Sequence, residues 1–376
     1  MTSEERREAR FQRRRRQRIE KRARLHPGAD DYQIVFSFAN LWASYRKCRK
    51  NVGWKGSVQR YTFAAPMRVT QAHRQLMMGK YRCVVPHEWD TWERGKQRHI
   101  KSVPIGERVV QRCLADNALL PLLAPSFVYD NGACLSRKGY DFAMRRLECH
   151  LQRHYRKHGN EGYILLFDFS KFYENIDHNL IRSIIGKYFH DPRIHKITDQ
   201  ILATFGTHGL GLGSQISQVL ALAAASPLDH AIKQDMRVKE YARYNDDGYL
   251  IHHSKEFLHD CLSRIRAICD KLHIRLNTKK TQIVKLSHGF KFLKARIYLS
   301  DTGKIIRKLP KKSIVRQRRK IKSLNEKLRQ GLIDMPHITM QHQSWRAYAL
   351  KFPCSYRTVQ SMDALFLQTY VFKEAL

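Results

Sequence analysis

The chain is short of acid. Only 33 Asp and Glu stand against 70 Lys and Arg, a formal net charge of +37. That excess goes beyond what solubility needs and implies a polyanionic partner. No apolar run of about eighteen residues occurs, so no segment is expected to span a bilayer, and anionic membrane ranks behind nucleic acid as the partner. The eight cysteines (Cys48, Cys83, Cys113, Cys134, Cys149, Cys261, Cys269 and Cys354) include no Cys-x-x-Cys pair, which argues against a zinc knuckle. No signal-peptide apolar stretch opens the sequence, so the expected setting is a reducing cytoplasm. Internal repeats and flexible Gly/Ser linkers are also missing. What is present is ordinary: 43% hydrophobic residues in a chain of 376, enough for one large domain or two to three modest ones.

The rare acids cluster where they are informative. Tyr244-Asn245-Asp246-Asp247 sets two adjacent carboxylates between β-forming apolar residues, with Gly248 as the expected turn residue. Adjacent like charges are costly unless cations hold them, and a divalent metal does so readily. A solvated Asp-Asp turn is the plain alternative. Against it stands Tyr163-Ile-Leu-Leu-Phe-Asp168, an apolar run ending in one carboxylate. That is the pattern of a buried strand delivering an acid at its end. His252-His253 follows the Asp-Asp pair; shielding the backbone or facing nucleic acid is preferred to metal ligation.

Residues 1–29 form a basic arm that includes Arg13-Arg14-Arg15-Arg16. With few apolar residues it is expected to be disordered or a free helix, ordering on RNA or DNA phosphates. Phe36, Phe38, Leu41, Trp42 and Tyr45 predict a helix with one apolar face. A turn at Gly95, a basic strand, a break at Pro104 and a helix from Ile105 follow. Arg98, with Lys96 or Lys101, suits triphosphate binding, since an Arg fork matches phosphate oxygens; a solvated basic hairpin fits equally well. Residues 113–160 read as helical with an irregular stretch over 129–139, and Ser217 is the expected cap of a helix reaching Asp229. Residues 256–272 have helical spacing, 285–307 read as a hairpin turning at Asp301-Thr302-Gly303, and 311–376 read as basic helices.

In this order the motifs resemble a reverse transcriptase over roughly residues 30–350. Tyr244 to Asp247 is similar to that family's Tyr-x-Asp-Asp, and Phe167-Asp168 through Tyr173 to its first carboxylate motif. Leu276-Asn277-Thr278-Lys279-Lys280-Thr281 resembles the Leu-Asn-x-x-Lys-Thr segment, and Gly289 to Leu293 the primer grip, with Lys294 where the family usually has Gly. The resemblance implies an α+β right-hand polymerase: fingers with part of the palm over 30–160, a ferredoxin-like palm over 161–300 and a basic helical thumb over 301–376. It also implies RNA-directed DNA synthesis with two Mg2+ ions, or Mn2+. Asp168 and Asp246 would contact metal directly, and Asp247 would bind the primer-side ion or tune the site. The Phe169 carbonyl would join them. Tyr173 is either a steric gate against 2′-hydroxyls or a core aromatic. Lys280 either protonates pyrophosphate or is solvated beside Lys279.

Gly209 to Gln218 lies where many relatives carry Gln-Gly-x-x-x-Ser-Pro; Leu212 replaces the Gln and Gln218 the Pro. With Gly213 these residues are expected at the incoming nucleotide. Leucine there packs but cannot read a polar edge, which implies lower fidelity or altered base choice. The variant is similar to bacterial and phage enzymes of the group II intron-like superfamily, including diversity-generating retroelement and unclassified or defence-associated enzymes. Template and hybrid contacts are expected from Arg137, Lys138, Phe292, Leu293, Lys311, Lys312, Arg316 and Arg319. Trp345 and Tyr348 are read as thumb core in preference to base-stacking residues.

No length remains in this sequence for RNase H, integrase or endonuclease domains. That implies a cytoplasmic prokaryotic enzyme working on a dedicated non-coding RNA, with an accessory protein or a second copy as further partner. An antiphage defence element and a mutagenic retroelement are the competing settings. A catalytically silent RNA-binding scaffold is the rival from another class, and a DNA-templated or primer-independent polymerase also stays open.

Overall fold

The computed structural model describes residues 2–93 and 95–371. The strands among these described residues are β1 (His87–Glu93), β2 (Lys96–Ser102), β3 (Tyr163–Asp168), β4 (Tyr241–Tyr244), β5 (Asp247–His252), β6 (Gln282–Lys285), β7 (Phe290–Phe292), β8 (Ala295–Leu299) and β9 (Ile305–Lys308). They form a two-stranded hairpin, a four-stranded sheet of order β4-β5-β3-β6 and a three-stranded meander, β7-β8-β9. Every pairing between these strands is antiparallel. Helices fill the β3-to-β4 and β5-to-β6 connections, so the four-stranded sheet is the split βαβ of a ferredoxin-like palm. The fold is α+β, of the right-hand polymerase kind.

Both faces of this sheet are covered, which explains the unbroken apolar run in β3. Leu165, Phe167, Tyr241 and Leu250 point into the large core shared with the Gln215–His230 and Lys255–Lys271 helices. Their neighbours Ile164, Leu166, Ala242, Tyr249 and Ile251 point the other way, as the two-residue period of a strand requires. There they meet Met144, Leu147 and Leu151 of the Tyr140–His158 helix, and Phe290 and Phe292 of the meander.

The 285–307 region is thus three strands rather than one hairpin. The expected β8–β9 turn is present, and β7 joins through a two-residue turn, Leu293-Lys294, between the paired residues Phe292 and Ala295. Both turn residues have positive φ, 44° and 65°. The tight hairpin survives replacement of glycine, with two L side chains held in the left-handed region.

Ahead of the four-stranded sheet come helices Phe38–Arg49, Gly56–Phe63 and Ala65–Met77, then the β1–β2 hairpin turning at Gly95, then helix Ile105–Leu114. Three helices, Lys311–Arg329, Met335–Ala349 and Tyr356–Tyr370, close around Ile321, Ile338, Met362 and Tyr370. Trp345 packs on that cluster, and Tyr348 packs edge-on against Phe352, as expected of core aromatics. The arm is a helix over Ser3–Leu25. Among the described residues no helix is long and apolar enough to cross a membrane.

Candidate active site

The register of two neighbouring strands brings the acids together. Asp168, the last residue of β3, lies directly opposite Asp247, the first of β5. Tyr244 pairs with Asp247, so the β4–β5 turn is Asn245-Asp246, and Asn245 takes the left-handed conformation (φ 58°). Asn tolerates that region better than most residues. Gly248 is therefore not the turn residue. It sits inside β5, where a Cβ would overlap the Phe167 ring.

Asp168 is nearly buried, at 4% exposure. Lys280 Nζ donates to its Oδ2 at 2.6 Å, and Asn277 Nδ2 to its Oδ1 at 3.1 Å. The Asn277 amide also donates to the Asp168 carbonyl at 2.7 Å, and the Phe169 amide to the Asp246 carbonyl at 3.1 Å. Main-chain bonds thus lock the end of β3 to both neighbours. Desolvation raises the Asp246 carboxyl above its ordinary range, and the Asp168 charge adds to this. For Asp247, desolvation, the Asp246 charge and a hydrogen bond with Asp168 push the pKa up to about 7. The Lys280 ammonium is held protonated: desolvation pulls it down, but Asp168, Asp247 and Asp246 outweigh that.

Three carboxylates therefore share one ammonium, and the excess negative charge suits a hard divalent cation. Asp168, Asp246 and Asp247 offer the oxygen ligands Mg2+ prefers. Among the described residues no three acidic, His or Cys side chains stand in ready metal-ligand geometry. The Phe169 ring is buried against Phe167 and Phe172.

Tyr173 opens a short turn beyond β3, and its hydroxyl donates to Asn245 Oδ1 at 3.0 Å. Burial pushes its phenol up. The glycine-rich segment packs here: the Leu210 amide donates to the Tyr173 carbonyl at 2.7 Å, and a Cβ on Gly209 would press on the Glu174 backbone. Leu212 is half-buried and Gly213 exposed, with φ 94°. Gln218 is half-buried in the first turn of the Gln215–His230 helix. That helix starts after Ser214, not at the expected Ser217, whose buried hydroxyl is inside the first turn without a partner. Ser214 Oγ instead donates to Gln111, and Gln111 to Glu107, which also accepts from Tyr81. This buried chain ties the glycine-rich segment to the Ile105–Leu114 helix.

Other expected contacts are placed differently. Lys101 lies on β2, paired across the hairpin with Glu88 of β1. Its Nζ pairs with Glu88 at 3.2 Å and donates to the Phe205 carbonyl at 2.9 Å, so it is already engaged. The side chains of Lys96 and Arg98 lie outside the described residues. Lys138 donates to the Tyr129 carbonyl at 2.6 Å and rests over the Tyr129 and Phe142 rings, while Arg137 is exposed. Phe292 is core, edge-on to Tyr249 at 5.1 Å, and cannot face nucleic acid; Leu293 is half-buried beside it. Lys311, Lys312, Arg316 and Arg319 are exposed on the Lys311–Arg329 helix.

Two supports escaped the sequence reading. Asn277 sits within the quoted Leu-Asn stretch. Arg243 was visible as a lone charge in the apolar strand Tyr241–Tyr244. It is fully buried against Asp229, and its Nη1 donates to the Asn245 carbonyl at 2.7 Å, gripping the turn that carries Asp246.

No curated protein matches the sequence. Among solved structures it is similar to telomerase from Candida albicans in complex with a fragment of telomeric RNA (11% identity, TM-score 0.46, 62% of this chain and 46% of that one). It is also similar to apo telomerase from Candida tropicalis truncated from its C-terminal domain (13%, 0.46, 65% and 60%), and to the apo enzyme of that organism (13%, 0.44, 63% and 53%). The chain spans roughly half the length of these proteins. A family model described as reverse transcriptase (RNA-dependent DNA polymerase) matches residues 89–297, more than half of the chain, from within β1 to within β8. With its acids at facing strand ends of a ferredoxin-like palm, the chain belongs to the reverse transcriptase family.

Proposed function

We propose that this protein is an RNA-directed DNA polymerase that extends a primer with dNTPs in the cleft above β3, β4 and β5. The observation that carries this is the pairing of Asp168 with Asp247, with Asp246 in the adjoining turn and Lys280 bound to Asp168. Asp168, Asp246 and Asp247 would hold Mg2+, which when bound supplies charge neutralisation for a 3′-oxygen and a departing pyrophosphate. The chain itself contributes position. The Arg243–Asn245 and Phe169–Asp246 bonds hold the turn against β3, and rigid placement is what such sites supply. Lys280 carries a proton within reach of the cluster, where pyrophosphate would leave. Tyr173 faces the turn as a wall for the sugar, and the exposed Lys311, Lys312, Arg316 and Arg319 would follow hybrid phosphates.

The biological setting follows the variant glycine-rich segment, Leu212 to Gln218. Its likeness to bacterial retroelement and defence enzymes supports a cytoplasmic prokaryotic polymerase devoted to one structured RNA. Cloning the RNA that copurifies with the chain, and the DNA made from it, separates a defence element from a mutagenic retroelement. The activity itself is tested by primer extension on an RNA template with Mg2+. Asp246→Ala should lose at least about a thousandfold in rate, the scale set by losing a central electrostatic group. Undiminished extension by that variant refutes the assignment.

A further inference from the structure

The Ser3–Leu25 helix turns a cationic stripe, not an apolar one, toward the rest of the molecule. Arg7, Arg10, Arg14 and Arg18 recur at three- and four-residue spacing and so share a face. All four line a cavity of about 1040 Å3. The far wall carries a further cation, Lys187, near the end of the His178–Tyr188 helix; beside it His230, at the end of the Gln215–His230 helix, is hydrogen-bonded to Ser126 and Gln234. Among the described lining residues there is no Asp or Glu.

Four guanidinium groups and the Lys187 ammonium facing one cavity repel one another, and an anion between them removes the repulsion. Arg7 to Arg18 covers about 16 Å of helix axis, which suits a run of phosphates better than one small anion. Phe11 and Tyr188 line the same cavity. A basic groove with aromatic rings is the chemistry that holds single-stranded nucleic acid, phosphates on the cations and bases on the rings. None of its lining residues is Asp168, Asp246 or Asp247, so the cavity is distinct from the acids' site, although Asp229, beside His230, is bound through Arg243 to the turn that carries Asp246.

We propose that this cavity clamps a single-stranded segment of RNA between the N-terminal helix and the outer side of the palm, apart from the catalytic cleft. The clamp goes beyond the polymerase reading and is read as binding without dNTPs, so the two fail separately. If wild-type protein holds RNA here but extends no primer, only the polymerase reading falls.

The test uses the full chain, a labelled oligo(rU) of about twenty nucleotides and a saturating unlabelled RNA–DNA primer hybrid to fill the cleft, with anisotropy read across a salt series. Wild type should still bind oligo(rU), with log K falling against log salt at a slope near −3, about 0.7 per phosphate contact. The Arg7→Glu, Arg10→Glu, Arg14→Glu, Arg18→Glu variant should bind at least about tenfold more weakly with a flatter slope. Those changes fall on an exposed helix, so Lys187→Glu, on the opposite wall, provides an independent arm and should lose several-fold. Lys187→Glu affinity equal to wild type overturns the clamp, because the arm would then act as a free basic tail. Displacement of oligo(rU) by phosphatidylserine vesicles also overturns it, making the occupant a membrane surface.

Discussion

Arg243 and Asp229 form a fully buried ion pair, with Nε and Nη2 at 2.8 and 2.6 Å from the two carboxylate oxygens. Tyr241 donates to the same carboxylate, and the third guanidinium nitrogen holds the Asn245 carbonyl. One side chain thereby connects a palm helix to the turn bearing Asp246. Arg243→Met should cost about 3–5 kcal/mol in denaturant unfolding, since it strands Asp229 in the core. Adding Asp229→Leu should recover much of that stability, because removing both partners leaves no uncompensated charge. Polymerase activity should not return with stability, since the grip on Asn245 stays lost.

Asp247 makes stability depend on pH in a direction opposite to a salt-bridged carboxylate. Its pKa rises from 3.8 to about 7 on folding. Between those values the native state keeps a proton that the unfolded chain has released, so stability falls as pH rises through that window. In chelator, Asp247→Asn should match wild type near pH 4 and exceed it by about 4 kcal/mol near pH 8. Thermal melts of both proteins across that range check this. A pH-independent difference between them would refute the like-charge account of the site.

Tyr173 separates a gate from a core aromatic through its hydroxyl and its ring. The hydroxyl bonds Asn245, while the ring meets Phe172 edge-on. Tyr173→Phe keeps the bulk and should leave discrimination against rNTPs intact. Tyr173→Ala opens the space for a 2′-hydroxyl and should reduce that discrimination by about tenfold or more in kcat/KM. If Tyr173→Ala lowers only the melting temperature, the ring is core and no gate exists.

The acids were legible because two strong patterns coincide. An unbroken Ile-Leu-Leu-Phe run before Asp168 suits a strand covered on both faces, and a second acidic strand end at Asp246-Asp247 makes a shared use of the charges the better reading than a solvated turn. Gly248 misled because its requirement is not local: the Phe167 ring on the neighbouring strand excludes a side chain, while Asn245 makes the turn. Phe292 misled similarly, since motif position says nothing of the Tyr249 ring that covers it. Ser217 looked like a cap, but Ser214 begins the helix and spends its hydroxyl on Gln111. Cross-element contacts of this kind leave no periodic trace.

Leu212 bears on fidelity. It is half-buried one residue before the exposed Gly213, on a segment anchored to Tyr173 through Leu210. A leucine can exclude water there but offers no hydrogen bond to a base or sugar. Leu212→Gln should lower misincorporation by several-fold, scored by sequencing cDNA from a defined template. An unchanged error spectrum refutes a role for this position in base choice.

Lys294 tests whether the meander turn is strained. It and Leu293 both hold positive φ in the two-residue β7–β8 turn. A non-glycine residue pays about 1 kcal/mol to stay there, whereas glycine does not, though glycine also gains freedom in the unfolded chain. Lys294→Gly should therefore raise unfolding free energy modestly, by about 0.5 kcal/mol, and Lys294→Val should lower it by more than 1 kcal/mol, roughly, since a β-branched side chain fits that region worst. Because Phe292 behind the turn packs on Tyr249, two residues past Asp247 on the same strand, the valine variant should also slow primer extension. Stability and rate that ignore both substitutions would show that the turn carries no strain and does not support the catalytic strand.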